Sequence, residues 1–159
     1  MRTLIACYSR TGNTRKAAEA LADRFAAPLA AIPCDRYEGA PRGLVRAGHD
    51  SVHGEAPEID AIDPDPASFD RIVLGGPVWV WVIALPLRSF LRRTDLSDKR
   101  VGIFVTYGGG PHGRPLDQLE MALGRPPVAR AAFAATTLSD ESRLTEAVTR
   151  FAREIDAAG

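Results

Sequence analysis

The chain is short of several things. It has two lysines, Lys16 and Lys99, two cysteines, Cys7 and Cys34, and three histidines. Its charges cancel, with 20 Lys+Arg against 20 Asp+Glu. Without a basic excess, a dedicated nucleic-acid binder is not expected. Without an acidic excess, neither is a strongly acidic docking protein. Two cysteines cannot build a disulfide framework, and no secretory apolar segment follows Met1. The expectation is a reduced, cytoplasmic protein whose thiols pack in the core. The longest uncharged run, Ile72–Leu87, is interrupted by Pro77 and Pro86. It is also shorter than the roughly 20 residues of a membrane span, so no membrane span is expected. Internal repeats, low-complexity tracts and linker-like segments are missing as well.

What is present is the composition of a folded protein, 45% hydrophobic and 25% charged. A chain of 159 residues buries roughly 70% of its unfolded surface. That is enough for a core without staples, and one domain over residues 1–159 is expected. The near-exclusive use of arginine as the cation, with abundant alanine, reads as GC-rich coding and suggests a bacterial source.

Hydrophobic periodicity predicts alternating strands and helices. Arg2–Tyr8, Leu29–Cys34, Asp70–Gly76, Arg100–Tyr107 and Val128–Ala134 read as strands. Arg15–Phe25, Pro86–Arg93, Leu116–Leu123 and Glu141–Ala157 read as helices, the last capped by Ser139 or Asp140. Arg42–Val52 reads as a short helix with Leu44, Val45 and Gly48 facing inward, and Pro77–Leu85 reads as a loop. Such alternation gives a parallel sheet with helices on both faces. In such sheets ligands bind outside the carboxyl ends of the strands, where strand order reverses. Three loops leave such ends: Ser9–Thr14, Pro77–Leu85 and Tyr107–Gly113.

The first loop reads Ser9-Arg10-Thr11-Gly12-Asn13-Thr14. It puts hydroxyls, an amide and a glycine before a helix, whose exposed N–H groups and positive dipole end suit a phosphate. An ordinary N-cap with turn residues has a similar composition. The motif G-x-x-x-x-G-K-[ST] is absent, which excludes a nucleotide P-loop. Cys7 lacks the C-x5-R spacing of tyrosine phosphatases and sits in a strand, so a buried, inert thiol is expected.

Taken in order, the three loops resemble the flavodoxin family. Ser9–Thr14 matches that family's S/T-x-T-G-x-T phosphate loop. Gly75-Gly76-Pro77-Val78-Trp79 resembles its G-x-P-x-W segment, and Pro86–Leu91 continues the pattern. Thr106-Tyr107-Gly108-Gly109-Gly110 resembles its third flavin loop. The resemblance implies a doubly wound α/β sandwich with a five-stranded parallel sheet in the order 2-1-3-4-5. It also implies one non-covalent FMN. The implied cofactor contacts are Ser9, Arg10, Thr11, Gly12, Asn13 and Thr14; Pro77, Val78, Trp79 and Val80; and Thr106, Tyr107, Gly108, Gly109 and Gly110. The ring is expected between Trp79 and the Tyr107–Gly110 loop. Aromatic surfaces at Trp79 and Tyr107 and unobstructed glycine N–H groups agree with that. The alternation of Val78, Val80 and Val82 with Trp79 and Trp81 also fits a plain strand.

Two departures bear on function. The stretch from Val78 to Leu85 is unusually apolar. Either it marks a partner, a homodimer contact or an apolar substrate, or it folds inward. Carrier flavodoxins are acidic, whereas here Glu55, Glu58, Asp60, Asp63, Asp65 and Asp70 bunch before the third strand. Arg10, Arg36 and Arg114, with Arg42 and Arg46, follow strand carboxyl ends instead. A cationic rim suits NAD(P)H or acidic carriers; a neutralised, solvated surface is the plainer alternative. His112 lies beside the expected flavin edge, where it either positions or protonates a substrate or is merely exposed. His49 and His53 lack a third ligand, so no metal site is expected. The reading is an FMN-dependent NAD(P)H oxidoreductase reducing a quinone or similar small acceptor. The alternatives are an electron carrier between redox partner proteins, or a flavin-free phosphate-ligand or interaction domain.

Overall fold

The computed structural model describes residues 1–39, 41–54 and 56–158, so Glu55, one of the expected acidic cluster, lies outside the described residues. Its elements are β1 (Thr3–Cys7), α1 (Asn13–Phe25), β2 (Leu29–Ala31), α2 (Arg42–His53), β3 (Arg71–Trp79), β4 (Val82–Ile83), α3 (Leu85–Arg93), β5 (Arg100–Tyr107), α4 (Gly113–Leu123), β6 (Ala129–Ala134), α5 (Ala135–Leu138) and α6 (Glu141–Ala157). The sheet runs β2-β1-β3-β5-β6, all parallel, with β4 paired antiparallel to the end of β3. Setting aside β4, this is the expected 2-1-3-4-5 order.

The strands form because their residues are buried on both faces. Along β1 and β3, Leu4, Ala6, Ile72 and Leu74 point into one core with Leu87 and Phe90 of α3 and Leu116 and Leu119 of α4. The intervening Ile5, Cys7 and Val73 point into the other core with α1 and α6. This period-two split explains why the strands read as continuous apolar runs. Glycine is required where the second core crowds the sheet. A Cβ on Gly75 would lie 2.2 Å from the Phe104 ring.

Several boundaries differ from the sequence reading. Leu29–Cys34 keeps only Leu29–Ala31 as strand, because Pro33 cannot donate to the ladder. The segment expected as a loop, Pro77–Leu85, is largely a hairpin. β3 continues to Trp79, turns at Val80 and Trp81, and returns as β4. Both turn residues have positive φ, 47° and 61°, as two-residue hairpin turns of the primed types need. Neither is a glycine or asparagine, so the turn stores backbone strain of the kind that gathers at functional sites. The apolar stretch divides accordingly. Ile83, Ala84 and Leu85 are fully buried, while Val80 and Trp81 are 55% and 61% exposed. Of the stretch expected to mark a partner, homodimer contact or apolar substrate, Val78–Val82 thus keeps some exposure, greatest at the hairpin tip, while Ile83–Leu85 folds inward.

The largest correction concerns α2. Its buried residues are Gly43, Ala47, Asp50 and Ser51. Leu44 and Val45, expected to face inward, are exposed, and Gly48 is half-buried with open space above it. The helix is amphipathic, but its apolar side points away from the core. The close approach of Gly43 to the Tyr37 carbonyl, 2.2 Å from an ideal Cβ, fixes that orientation.

Candidate functional site

Parallel pairing of β1 with β3 and β3 with β5 brings the three expected loops to one end of the sheet. Pro77 lies opposite Thr106, and the Tyr8 amide donates to the Gly75 carbonyl at 3.1 Å. Between them opens a cleft of about 200 Å³, lined by Arg10, Thr11, Asn13, Thr14, Pro77, Val78, Trp79, Thr106, Tyr107 and Gly108. Ten of the fifteen expected cofactor residues therefore meet there. A larger open cavity of about 700 Å³ lies elsewhere, against Cys34, Arg36, Arg92 and Arg93. Asp35, Glu58 and Asp60 also line it, and none of the three loops reaches it, so it presents no anion-selective cradle.

The phosphate-type loop divides its work. Gly12, in a left-handed conformation (φ 93°), opens α1. The Ser9 Oγ accepts from the Gly12 and Arg15 amides, both at 3.2 Å. The amides of Thr11, Asn13 and Thr14 carry no hydrogen bond among the described residues. These, with the dipole of α1, form an anion cradle. Ser9 and Gly12 shape the loop rather than line the cleft. The Thr14 hydroxyl, nearly fully buried, lies 2.7 Å from that of Thr106. That bond ties the first loop to the third.

The aromatic wall is fixed from behind. Trp79 packs edge-on against Tyr8 (ring centroids 5.4 Å) and Tyr37 (4.9 Å). The Tyr37 hydroxyl donates to Asp50 Oδ2 at 3.0 Å. The same oxygen accepts from Arg36 Nε at 2.6 Å, and Asp50 Oδ1 lies 3.2 Å from His49 Nδ1. The Arg36 guanidinium, more than the other bonds, holds the buried Asp50 carboxyl down to about 2. Burial raises both tyrosine hydroxyls, so they stay neutral. Arg36, expected on a cationic rim, is committed to this network.

Of the remaining expected residues, Val80 is at the hairpin tip, and Gly109 and Gly110 are exposed. Gly110 has φ 81° and lies beside the Trp81 indole nitrogen. His112 stacks on Tyr107, with centroids 4.5 Å apart. Cys7 is buried, as expected, and desolvation pushes its thiol up to about 12. His49 and His53 stack at 4.2 Å, and among the described residues no group of three candidate metal ligands forms. Sequence reasoning missed two lining residues, Leu44 and Leu138. The rule that ligands gather at strand carboxyl ends would have found Leu138, since α5 follows β6 directly.

Fold and cleft together define a doubly wound α/β protein with an anion cradle at its switch point and an aromatic wall beside it. A family model described as Flavodoxin matches residues 2–142; the chain belongs to the flavodoxin family. None of the curated proteins matches the sequence. Among solved structures, a Lactobacillus acidophilus flavoprotein in complex with FMN is 24% identical over 92% of this chain and 97% of its own, with TM-score 0.69. Oxidised flavodoxin 2 from Bacillus cereus is 16% identical over 100% of both chains, with TM-score 0.63. No described helix is long and apolar enough to cross a membrane.

Proposed function

We propose that the chain binds one FMN non-covalently in this cleft and uses it, with NAD(P)H as donor, to reduce a quinone or similar small acceptor. The observation that carries the cofactor assignment is the meeting of open Thr11, Asn13 and Thr14 amides with Trp79 and Tyr107 in one cleft. The donor set suits the group: helix-end amides and hydroxyls for a phosphate, aromatic faces for a flat ring, and Gly108 where a side chain would obstruct a polar edge. Membership of the flavodoxin family supports it, as does the FMN in the L. acidophilus relative. FMN would supply one- or two-electron transfer. The residues of this chain would bind its phosphate, orient its ring and tune it through the neutral Tyr8–Trp79–Tyr37 cluster.

The reductase reading rests on charge. The net charge is +0, and Arg10 borders the cleft, which suits an anionic nicotinamide donor better than the acidic field of a carrier does. His112, stacked on Tyr107, is proposed to position the acceptor. Purified protein should show flavin absorption bands, or regain them on FMN titration at one equivalent. A chain that stays colourless under titration would defeat the cofactor assignment. With FMN bound, steady NAD(P)H oxidation with a soluble quinone supports the reductase. Reduction only through a separate reductase would make the chain a carrier instead. His112→Ala should raise KM for the acceptor with little change in FMN affinity; an unchanged KM removes His112 from the site.

A further inference from the structure

We propose that α2 and the β3–β4 hairpin tip dock the chain on an anionic lipid bilayer surface. Seven large apolar side chains are exposed among the described residues, and five of them are Leu44, Val45, Val52, Val80 and Trp81. The other two are Met1, which precedes β1, and Met121 on α4. Leu44 and Trp79 line the same cleft, and Val80 and Trp81 follow Trp79 directly, so the helix and the hairpin tip border one mouth.

The wheel of α2 separates three sectors. At about 100° per residue, Leu44, Gly48, Val52 and Val45 span an arc of about 100°. Gly43, Ala47, Asp50 and Ser51 form the buried sector. Between these lie Arg42 and Arg46, with His49 and His53. The one acid on the helix, Asp50, is buried and paired with Arg36. The exposed surface of α2 is thus apolar and cationic, with no exposed carboxylate. That combination suits acyl chains below and anionic headgroups beside them. An indole at an exposed turn suits the same interface. Both elements are convex, a helix flank and a two-residue turn. They project single side chains, as insertion into an interfacial layer requires. The strained Val80–Trp81 turn, where asparagine and glycine would be relaxed, is accounted for by the placement of Trp81.

The residues varied in the test, Arg42, Arg46, Val45, Val52 and Trp81, are not among those lining the cleft, so the test stands or falls apart from the flavin reading. The whole chain is sedimented with vesicles of equal parts phosphatidylglycerol and phosphatidylcholine, and with phosphatidylcholine vesicles alone. Binding to the former is expected, and roughly tenfold weaker or no binding to the latter. Arg42→Gln and Arg46→Gln should each weaken binding roughly fivefold. Val45→Ser with Val52→Ser should weaken it about tenfold while leaving the circular dichroism spectrum unchanged. Indole emission should shift to the blue with anionic vesicles, and Trp81→Phe should remove that shift. Failure to sediment with anionic vesicles, or equal binding to both kinds, overturns the proposal. So does a dimer in vesicle-free solution that the Val45/Val52 double variant dissociates, which would give the face to a second copy. If no vesicle binds and the chain instead associates with an acidic protein through the same residues, the proposal is equally overturned.

Discussion

Helices α1 and α2 are nearly equal in length and opposite in construction. α1 buries Ala17, Ala18 and Leu21 against β1 and α6, so the hydrophobic effect holds it to the sheet. α2 buries Gly43, Ala47, Asp50 and Ser51 and turns Leu44, Val45 and Val52 outward. It is held by close approach at Gly43 and by one buried carboxylate shared among Arg36, Tyr37 and His49. Both helices border the cleft, α1 with its amino end and α2 with Leu44. One wall is therefore anchored by apolar burial. The other is anchored by a polar network that reaches the aromatic wall through Tyr37 and Trp79. The anion cradle sits on the first kind of wall, which suits a site that must be rigid. The exposed apolar face sits on the second.

Breaking each anchor in turn tests that contrast. Leu21→Ala removes a fully buried side chain and should cost about 3 kcal/mol in denaturant unfolding, lowering the midpoint of the whole fold. Asp50→Asn should cost less, about 2 kcal/mol. The Asp50 carboxyl is held at about 2 against an ordinary 3.8. Its contribution is fully present above the unfolded value and disappears as pH falls from about 4 towards about 2. Stability should therefore drop by roughly 2 kcal/mol across that window. The Asp50→Asn variant should lack this part of the acid limb. An identical acid limb in both chains would mean that Asp50 does not hold α2. Thr106→Val leaves the buried Thr14 hydroxyl without its partner and should cost about 1.5 kcal/mol. It should also weaken FMN binding, since it loosens the first loop from the third.

The same contrast explains what was legible in the sequence. The strand cores and the meeting of Ser9–Thr14, Pro77–Trp79 and Thr106–Gly108 could be read because period-two burial and strand-end loops follow from local pattern, whereas the sheet order came from the resemblance to flavodoxins. The orientation of α2 could not. Leu44, Val45 and Gly48 share a face, but periodicity identifies a face without saying whether the core or the solvent receives it. The deciding facts were non-local: the Tyr37 carbonyl against Gly43 and the Arg36–Asp50 pair. The hairpin was hidden for a related reason. Val80 and Trp81 are poor turn formers, so nothing in the local sequence marked a reversal. Only the alternation of valine with tryptophan hinted at strand.

The smallest expected effect discriminates most sharply. Val45→Ser, at a helix position that the apolar pattern alone assigns to the core, should shift stability by less than about 0.5 kcal/mol. Val45 is 71% exposed, so its removal leaves no cavity, and serine and valine differ little in helix propensity. If Val45 instead packed inward, as the pattern alone suggests, the same change would remove a buried aliphatic side chain and bury a hydroxyl, costing roughly 2 kcal/mol or more. Thermal unfolding of this one variant beside Leu21→Ala therefore separates the two constructions. A near-zero change beside a large one is what an outward apolar face requires, because solvent already surrounds that side chain in the folded protein.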